Sequence, residues 1–321
     1  MAELAPFCIE PRFTARVWGF RDLRPWYDRV AAGDPIGEVW LTGDDCLVST
    51  GPHAGKRLAA LFAEAHEALL GAQAPSADSP LLIKTIFARE KLSVQVHPDD
   101  RMAQKYGDPR GKTECWYALA AELGATVAVG VKPGTTLLQI EEEIQAGTLE
   151  ASLNAVPVAA GDMIFVDAGT IHAIWPGSIL LETQQNCDLT YRMFDYGRGR
   201  ELHIAKSIEA TKLTTRAGKI APRVLADRTV LIDAEYFRVE RIPVEGSRTS
   251  GSLLGGEAPG FTYLFAASGA GRLSGQGFAP IDLPARGVVA APAASPEFVL
   301  EDLGAAEGKL DLIRIAPNWP G

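Results

Sequence analysis

Short stretches rich in β-branched, aromatic and other apolar residues recur along this chain, and turn residues separate them. The 32 glycines and 21 prolines are spread throughout the sequence. Such a pattern predicts many short strands, which bury their apolar faces in a sandwich or a barrel. We therefore expect a mainly β protein. The clearest of these stretches are residues 81–87, 91–97, 115–119, 126–129, 163–166 and 179–182.

A few segments have helical periodicity instead. Helices are expected at residues 56–70, 100–106, 136–147 and 204–212. Thr136 and Gln139 match a capping box at the start of the third helix. No Gly-x-Gly-x-x-Gly or phosphate-loop motif opens a helix in this sequence, which disfavours a nucleotide-binding α/β fold.

The sequence changes character after about residue 215. The last histidine is His203, and the segment beyond it combines strand-like stretches with turns rich in Gly, Ala and Pro. A chain of 321 residues is long enough for two domains at ~150 residues each. We expect a first domain at 1–215 with helical insertions. A second β domain without a metal site is expected at 216–321, with the boundary in 205–228.

The charge balance limits the classes of partner. The chain has 31 basic and 40 acidic residues, for a formal net charge of −9. This argues against broad binding to nucleic acid or anionic membranes, which requires a basic face. A small anionic ligand is still compatible, because one lysine ~4 Å from a phosphate contributes about 4 kcal/mol at an effective dielectric constant of 20.

Several features point to a cytoplasmic protein. No apolar stretch approaches the ~18 residues of a membrane span. The first residues lack the basic and apolar regions of a signal peptide. The cysteines Cys8, Cys46, Cys115 and Cys187 are far apart and form no Cys-x-x-Cys pair. We expect them to be reduced thiols that pack as small apolar side chains.

The five histidines fall into two groups. His53 lies in a turn and His66 on a helix, so a surface position is expected for both. His203 precedes a predicted helix, where capping or packing is favoured. His97 and His172 lie instead beside predicted strands, and their neighbours suggest a common site.

The neighbours of His97 and His172 indicate where these side chains point. His97 lies two residues after Gln95, so both side chains face the same side of a strand. In residues 161–172, one strand runs into a glycine-containing turn and a second strand begins at His172. This spacing resembles the second cupin motif, which delivers a histidine to the mouth of a β-barrel.

Glu114 opens another predicted strand and can turn towards the same interior. Gln95, His97, Glu114 and His172 would together offer two oxygen and two nitrogen ligands. Mixed ligands of this kind suit a borderline divalent ion such as zinc, with room for water or a substrate oxygen. The spacing alone is equally compatible with buried polar groups that hydrogen-bond to one another.

Residues 91–100, with the sequence KLSVQVHPDD, resemble the signature of type I phosphomannose isomerases, which are zinc-dependent cupins. The same family pattern appears in order at residues 37–40, 111–117, 169–172 and 182–195. The resemblance extends from about residue 6 to 210 and is weak after 215, where the family carries a degenerate second barrel. It implies two cupin-like β-barrel (jelly-roll) domains with a few peripheral helices. The length resembles the short bacterial form of the family.

The resemblance also implies roles for individual residues. It makes Gln95, His97, Glu114 and His172 the ligands of one Zn²⁺ per chain. Arg192 matches the active-site arginine of the family, and Lys112 the lysine before the glutamate ligand. Ser93 and Lys84 align with residues that face the substrate phosphate. The departures are Cys187 in place of a serine and Leu41-Thr42 in place of Glu-x-Ser, which leave the metal ligands intact.

The implied reaction interconverts mannose 6-phosphate and fructose 6-phosphate through a cis-enediol(ate). Negative charge develops on the O1/O2 edge of the sugar, so fixed positive groups are needed there. The metal, Arg192 and Lys112 are the candidates. A general base is also required, and Glu182 is the first choice, with Asp188 the second. The alternative role for Glu182 is a structural partner of Lys112 or Arg192.

Two other functions remain as hypotheses. The first is another metal-dependent cupin enzyme, either an oxygenase or a different sugar isomerase, although the glutamine ligand argues against an oxygenase. The second is a non-enzymatic sugar-phosphate-binding cupin, which could dispense with Lys112 and Arg192. The expected partner is a small sugar phosphate, with no nucleic acid and no membrane, in a monomer or weak homo-oligomer.

Overall fold

The protein is described here by a computed structural model that covers residues 4–72, 74–255, 260–304 and 308–319. Strands outnumber helices by far, so the expected mainly β fold is confirmed. No helix in these ranges is long and apolar enough to cross a membrane. The four cysteines form no disulfide, in agreement with the expected free thiols.

The strands are short and lie along the whole chain. In residues 4–212 they are β1 (Phe7–Ile9), β2 (Arg12–Phe20), β3 (Ile36–Trp40), β4 (Leu81–Phe87), β5 (Val94–Val96), β6 (Glu114–Ala121), β7 (Thr126–Val131), β8 (Leu153–Pro157), β9 (Met163–Val166), β10 (His172–Ile174), β11 (Ser178–Gln185) and β12 (Tyr191–Phe194). The later strands are β13 (Gly218–Ile220), β14 (Arg223–Val224), β15 (Thr229–Asp233), β16 (Phe237–Pro243), β17 (Ser247–Thr249), β18 (Thr262–Ser268), β19 (Gly271–Gly275), β20 (Ile281–Leu283), β21 (Val288–Ala291), β22 (Phe298–Asp302) and β23 (Asp311–Pro317).

Within the described ranges all four expected helices are present, together with a short fifth helix that was not expected. The helices are α1 (Leu58–Leu70), α2 (Asp100–Lys105), α3 (Leu137–Ala146), α4 (Ile204–Ala210) and α5 (Ser250–Leu254). At the start of α3, the Thr136 hydroxyl accepts from the Gln139 backbone N–H at 3.2 Å. The Gln139 side chain donates to Glu143 and Ser152 instead of closing the second half of a capping box.

The strands of the described residues form four sheets. Sheet I has the order β13-β9-β6-β11-β4-β3-β2, and sheet II has the order β12-β5-β10-β7-β8. Sheet III has the order β1-β21-β18-β23-β16-β15-β14, and sheet IV has the order β17-β22-β19-β20. Because side chains alternate across a strand, each sheet offers one set of residues to either face.

Sheets I and III bury apolar side chains on both faces. In β11, Leu180 packs between sheets I and II, whereas Leu181 packs on the opposite face towards sheet III and α1. In β18, Tyr263 joins the cluster shared with sheet I, and Leu264 packs against sheet IV. The sheets therefore stack in the order II, I, III and IV. The interior between II and I holds the candidate site.

Strands on each side of residue 215 pair with strands from the other side. β1, from the start of the chain, pairs with β21 of sheet III. β13, which follows residue 215, pairs with β9 of sheet I. The expected division into residues 1–215 and 216–321 stays a prediction about domain organisation. The hydrogen bonding shows that neither segment completes its sheet alone.

Candidate active site

Strand pairing brings the sequence-predicted residues of sheet II together. Gln95 in β5 lies opposite His172 in β10 and opposite Arg192 in β12. Directly paired residues point to the same face of a sheet, so these three side chains share the inner face. His97 follows β5, and its backbone carbonyl accepts from the Gly169 N–H in the turn before His172.

Sheet I presents the complementary set from the opposite side. Glu114 and Trp116 lie two residues apart in β6 and therefore share a face of the sheet. Glu182 in β11 pairs directly with Trp116 in β6 and with Lys84 in β4. Glu38 in β3 pairs with Ile86, which places it on the same face as Lys84. The polar residues of β6, β11, β4 and β3 therefore face Gln95, His172 and Arg192 across the interior.

His97, Glu114 and His172 form a compact buried group. One ligand atom from each lies within 4.8 Å of the others. Glu114 Oε2 is 3.6 Å from His97 Nε2, and Glu114 Oε1 is 3.4 Å from His172 Nε2. Gln95 lies beside this group, with its Nε2 3.2 Å from His172 Nε2. Rotation of the Gln95 amide by 180° would present Oε1 in its place.

Backbone carbonyls fix the orientation of both imidazoles. His97 Nδ1 donates to the Leu189 carbonyl at 2.8 Å, and His172 Nδ1 donates to the Thr170 carbonyl at 2.9 Å. Each ring therefore turns an unprotonated Nε2 towards Glu114, as metal-binding histidines do. Burial lowers the pKa of His172 to about 4 and holds the pKa of His97 well below its usual value.

The donor set fits a divalent cation. Both carboxylate oxygens of Glu114 are buried and accept no hydrogen bond from the residues that the structure describes, and only Oε2 has an ion-pair partner there, Lys112 Nζ at 3.0 Å. Buried carboxylate oxygens without hydrogen bonds are unusual, and a cation would satisfy them. Two neutral imidazoles and one carboxylate, with a glutamine alongside, provide a set of nitrogen and oxygen ligands that zinc accepts.

Lys112 contacts the same group from the cavity side. Its Nζ lies 3.0 Å from Glu114 Oε2, 3.2 Å from His97 Nε2 and 3.9 Å from Glu182 Oε1. Burial alone lowers the pKa of Lys112, but Glu114 and Glu182 outweigh it and raise the pKa above its usual value. Lys112 therefore stays cationic next to the candidate metal ligands.

A second charged cluster surrounds Lys84. Its Nζ is 3.0 Å from Glu182 Oε1, 3.6 Å from Asp188 Oδ1 and 3.8 Å from Glu38 Oε1. Burial opposes the charge of Lys84, but the carboxylates raise its pKa above the usual value. Burial also raises the pKa of Glu182, whose Oε2 accepts from Trp116 Nε1 at 3.2 Å. Glu182 therefore binds a proton at higher pH than an ordinary glutamate does, although a cation lies beside it.

A cavity of about 570 Å³ opens beside these clusters. Five basic and three acidic side chains line it, an excess of positive charge in a chain of formal net charge −9. Fixed positive charge in a partly enclosed cavity attracts small anions. Ser93 and Gln95 also line the cavity. Its charged residues are Arg16, Glu38, Lys84, Lys112, Glu182, Asp188, Arg192 and Arg200.

Arg192 enters this cavity from the edge strand β12. Its Nη1 donates to the Glu201 carbonyl at 2.8 Å. Its Nε is buried and has no hydrogen-bond partner within the described ranges. A guanidinium with an unused buried donor at a cavity wall is suited to bind an oxygen atom of a ligand.

Three cavity residues were missed by the sequence analysis. Glu38 is buried and accepts from Arg16 Nη2 and from Trp40 Nε1, both at 2.8 Å. The signal was an acidic residue within the apolar strand Ile36–Trp40. Arg16 and Arg200 had no comparable signal, because arginines at these positions look like ordinary surface residues.

Comparison with known proteins gives this arrangement a family context. The family model described as phosphomannose isomerase type I, catalytic domain, matches residues 14–128. The mannose-6-phosphate isomerase of Streptococcus mutans is 35% identical over 261 residues, which cover 77% of this chain and 81% of that protein. A mannose-6-phosphate isomerase of Bacillus subtilis is 35% identical over 257 residues, covering 75% and 80%. The crystal structure of mannose 6-phosphate isomerase from Bacillus subtilis superposes with a TM-score of 0.84 at 28% identity, covering 97% of this chain and 99% of that one.

Proposed function

This chain belongs to the type I phosphomannose isomerase family, and we propose that it interconverts mannose 6-phosphate and fructose 6-phosphate with the help of a bound Zn²⁺. The observation that carries the proposal is the buried group of His97, Glu114 and His172 beside a cavity with an excess of basic side chains. The reaction is an aldose–ketose isomerisation through a cis-enediol(ate).

The metal site of this proposal uses the four predicted ligands. His97, Glu114 and His172 would hold the ion, with Gln95 as the fourth ligand after rotation of its amide. When bound, Zn²⁺ supplies Lewis acidity for the negative charge that develops on the sugar oxygens. Lys112 stays cationic at this position and adds to the same stabilisation.

Glu182 is the proposed general base. It moves a proton from C2 of the sugar to C1, and its raised pKa brings it closer to the operating pH than an ordinary glutamate. Arg192 supplies fixed positive charge for the enediolate through its Nε, which has no hydrogen-bond partner among the described residues. Asp188 lies at 3.6 Å from Lys84 Nζ and is proposed to hold that lysine in place.

Ser93 and Lys84 are the proposed contacts of the substrate phosphate. Both line the cavity, and the Ser93 hydroxyl lies 3.5 Å from Gln95 Oε1, which is too long to commit it to that partner. Lys84 is already paired with Glu182, so it would share its charge between the carboxylate and the phosphate. A cytoplasmic location and a monomeric or weakly associating state belong to the same proposal.

Formation of fructose 6-phosphate in a coupled assay, together with the metal content of the protein, tests this function. Chelation should abolish activity and added Zn²⁺ should restore it. His97→Ala should lose metal and activity together. Arg192→Ala should keep the metal but lose about 100- to 1,000-fold in kcat, because a charge-stabilising donor is removed. Full activity in a rigorously metal-free preparation would refute the zinc-dependent mechanism.

A further inference from the structure

His203 is placed at the start of α4, but its side chain does not cap that helix within the described structure. Its Nδ1 instead accepts from the backbone N–H of Arg192 at 3.1 Å. The backbone N–H of His203 donates to the carbonyl of Arg192 at 2.8 Å. His203 therefore hydrogen-bonds to both the backbone N–H and the backbone carbonyl of Arg192. It occupies the expected N-cap position, but its imidazole bonds to Arg192 instead of to the helix.

Arg192 needs this support because of its place in the fold. β12 is the outermost strand of sheet II, and it pairs only with β5 in the described sheet. The register between these strands shifts between Arg192 and Phe194. The outer backbone groups of an edge strand have no ladder partner, and a register shift changes the direction of nearby side chains. The hydrogen bonds from His203 supply the missing ladder partner on the outer side.

The same segment also holds the other end of the arginine. The Glu201 carbonyl accepts from Arg192 Nη1 at 2.8 Å. Residues 201–203 thus bind the backbone of Arg192 and one nitrogen of its guanidinium, while Nε remains without a partner in the described chain. This arrangement leaves little freedom in the direction from which Arg192 enters the cavity.

We infer that His203 is a positioning residue for Arg192, and this rests on the proposed function, in which Arg192 acts on the reacting sugar. The unprotonated Nδ1 of His203 fixes the backbone of Arg192, and the backbone sets where the guanidinium lies. The imidazole also lies against the Tyr191 ring, with centroids 6.2 Å apart, so His203 could instead act by packing. A packing role would depend only on the size and shape of the side chain.

A double-mutant cycle separates these two roles. His203→Leu removes the acceptor but keeps an apolar side chain of similar size. We expect it to lower kcat by about 10- to 100-fold with little change in KM, because a misplaced catalytic group affects mainly the transition state. In an Arg192→Ala background the same change should have almost no further effect on kcat, since His203 acts through Arg192.

Conservative replacements provide a second readout, because the two amide side chains place their oxygen differently. In His203→Asn the amide oxygen falls near the position of Nδ1, whereas in His203→Gln it falls near that of Nε2. We expect His203→Asn to retain most of kcat and His203→Gln to lose as much as His203→Leu. His53→Leu is the matched control and should leave kcat unchanged, because His53 lies in a turn and does not line the cavity.

The outcomes distinguish this inference from the proposed function. Two results would overturn the positioning role but not the proposed function. In the first, the wild type turns over and His203→Leu has the same kcat. In the second, His203→Leu lowers kcat by the same factor whether residue 192 is Arg or Ala. Absence of wild-type turnover would instead overturn the proposed function. Zinc content and thermal unfolding are measured for every variant. If His203→Leu fails to fold, the cycle is run with His203→Gln and the same criteria apply.

Discussion

At the scale of single residues, burial and charge together determine the chemistry of the cavity. The imidazoles of His97 and His172 are buried and face the cation of Lys112, so their pKa values fall and both stay neutral although Glu114 lies beside them. Lys84 and Lys112 are equally buried, but carboxylates within 4 Å keep them cationic. The same burial therefore produces metal ligands in one place and fixed cations in the other.

Burial raises the pKa of Glu182 above the ~4.3 of a free glutamate, and the cation of Lys84 opposes that rise. Removing this cation should therefore change the pH dependence of the reaction. A general base works when ionised, so kcat/KM falls as pH drops through its pKa. In Lys84→Gln the pKa of Glu182 should rise further, and the acidic limb of the profile should move to higher pH.

Profiles of kcat/KM from pH 5 to 9 at fixed zinc would check this prediction. The free substrate phosphate titrates at the same pH with both proteins, so a displacement of the acidic limb reports a group of the enzyme, and the loss of Lys84 as a phosphate contact lowers kcat/KM at every pH. Lys105→Gln is the control, because Lys105 is exposed, pairs with Glu209 and does not line the cavity. An acidic limb that stayed in place or moved to lower pH in Lys84→Gln would exclude Glu182 as the base.

At the scale of elements, strand register and close loop contacts place the ligands. The Gly111 N–H donates to Asp100 Oδ1 at 2.7 Å, and the Lys112 N–H donates to the Pro98 carbonyl at 3.0 Å. These bonds join the loop before β6 to the segment that follows His97. The loop thereby sets where Glu114 begins β6 relative to the imidazoles.

Gly111→Ala should disturb this contact. A Cβ at this position would lie 2.5 Å from the Pro98 carbonyl oxygen and from the Asp99 carbonyl carbon, both of which are backbone atoms. Backbone cannot move aside as a flexible side chain can. We expect a loss of about 1–3 kcal/mol in unfolding free energy and at least tenfold weaker zinc binding, because Lys112 and Glu114 are displaced.

Urea unfolding and zinc titration of the variant would measure both effects. Gly33→Ala is the matched control, since a Cβ there meets nothing within 4 Å. Wild-type zinc affinity in Gly111→Ala would show that the loop contact does not position Glu114.

At the scale of the whole molecule, one apolar cluster joins the two halves of the chain. It contains residues of sheet I, sheet III and α1, including Phe62, Leu181, Phe237 and Phe261. The rings of Phe62 and Phe261 lie 5.4 Å apart in an edge-to-face arrangement. β1 and β13 also cross between the halves, so each half needs the other to complete this cluster and its sheets.

The shared cluster predicts a single unfolding transition. Phe261→Ala should lower the unfolding free energy by about 3–5 kcal/mol, because a fully buried ring is lost from the interface of sheets I and III. The loss of zinc binding should occur at the same urea concentration as the loss of circular dichroism. Leu123→Ala is the control, because Leu123 is fully exposed, and its effect should stay within about 0.5 kcal/mol.

Two separate transitions in urea, with only one of them shifted by Phe261→Ala, would contradict this view. Such a result would show that residues on either side of the expected boundary unfold independently. The domain division predicted from the sequence would then gain support that strand pairing does not give it.

Local signals in the sequence were enough to predict the elements. Turn residues and apolar alternation predicted the strands around Gln95, Glu114, Met163 and Glu182, because both signals depend only on neighbouring residues. They also predicted four helices and free cysteines. Motif spacing and the family resemblance further selected His97, Glu114 and His172, which the structure brings together.

How these elements meet could be learned only from the folded chain. Whether β12 is an edge strand, and what lies beside it, depends on pairings between residues far apart in the chain, which no local pattern encodes. The roles of Glu38 and His203 follow from such pairings, and so does the exchange of β1 and β13. Non-local packing brings distant segments of the chain next to one another. It therefore determines which side chains line the cavity and how they are held.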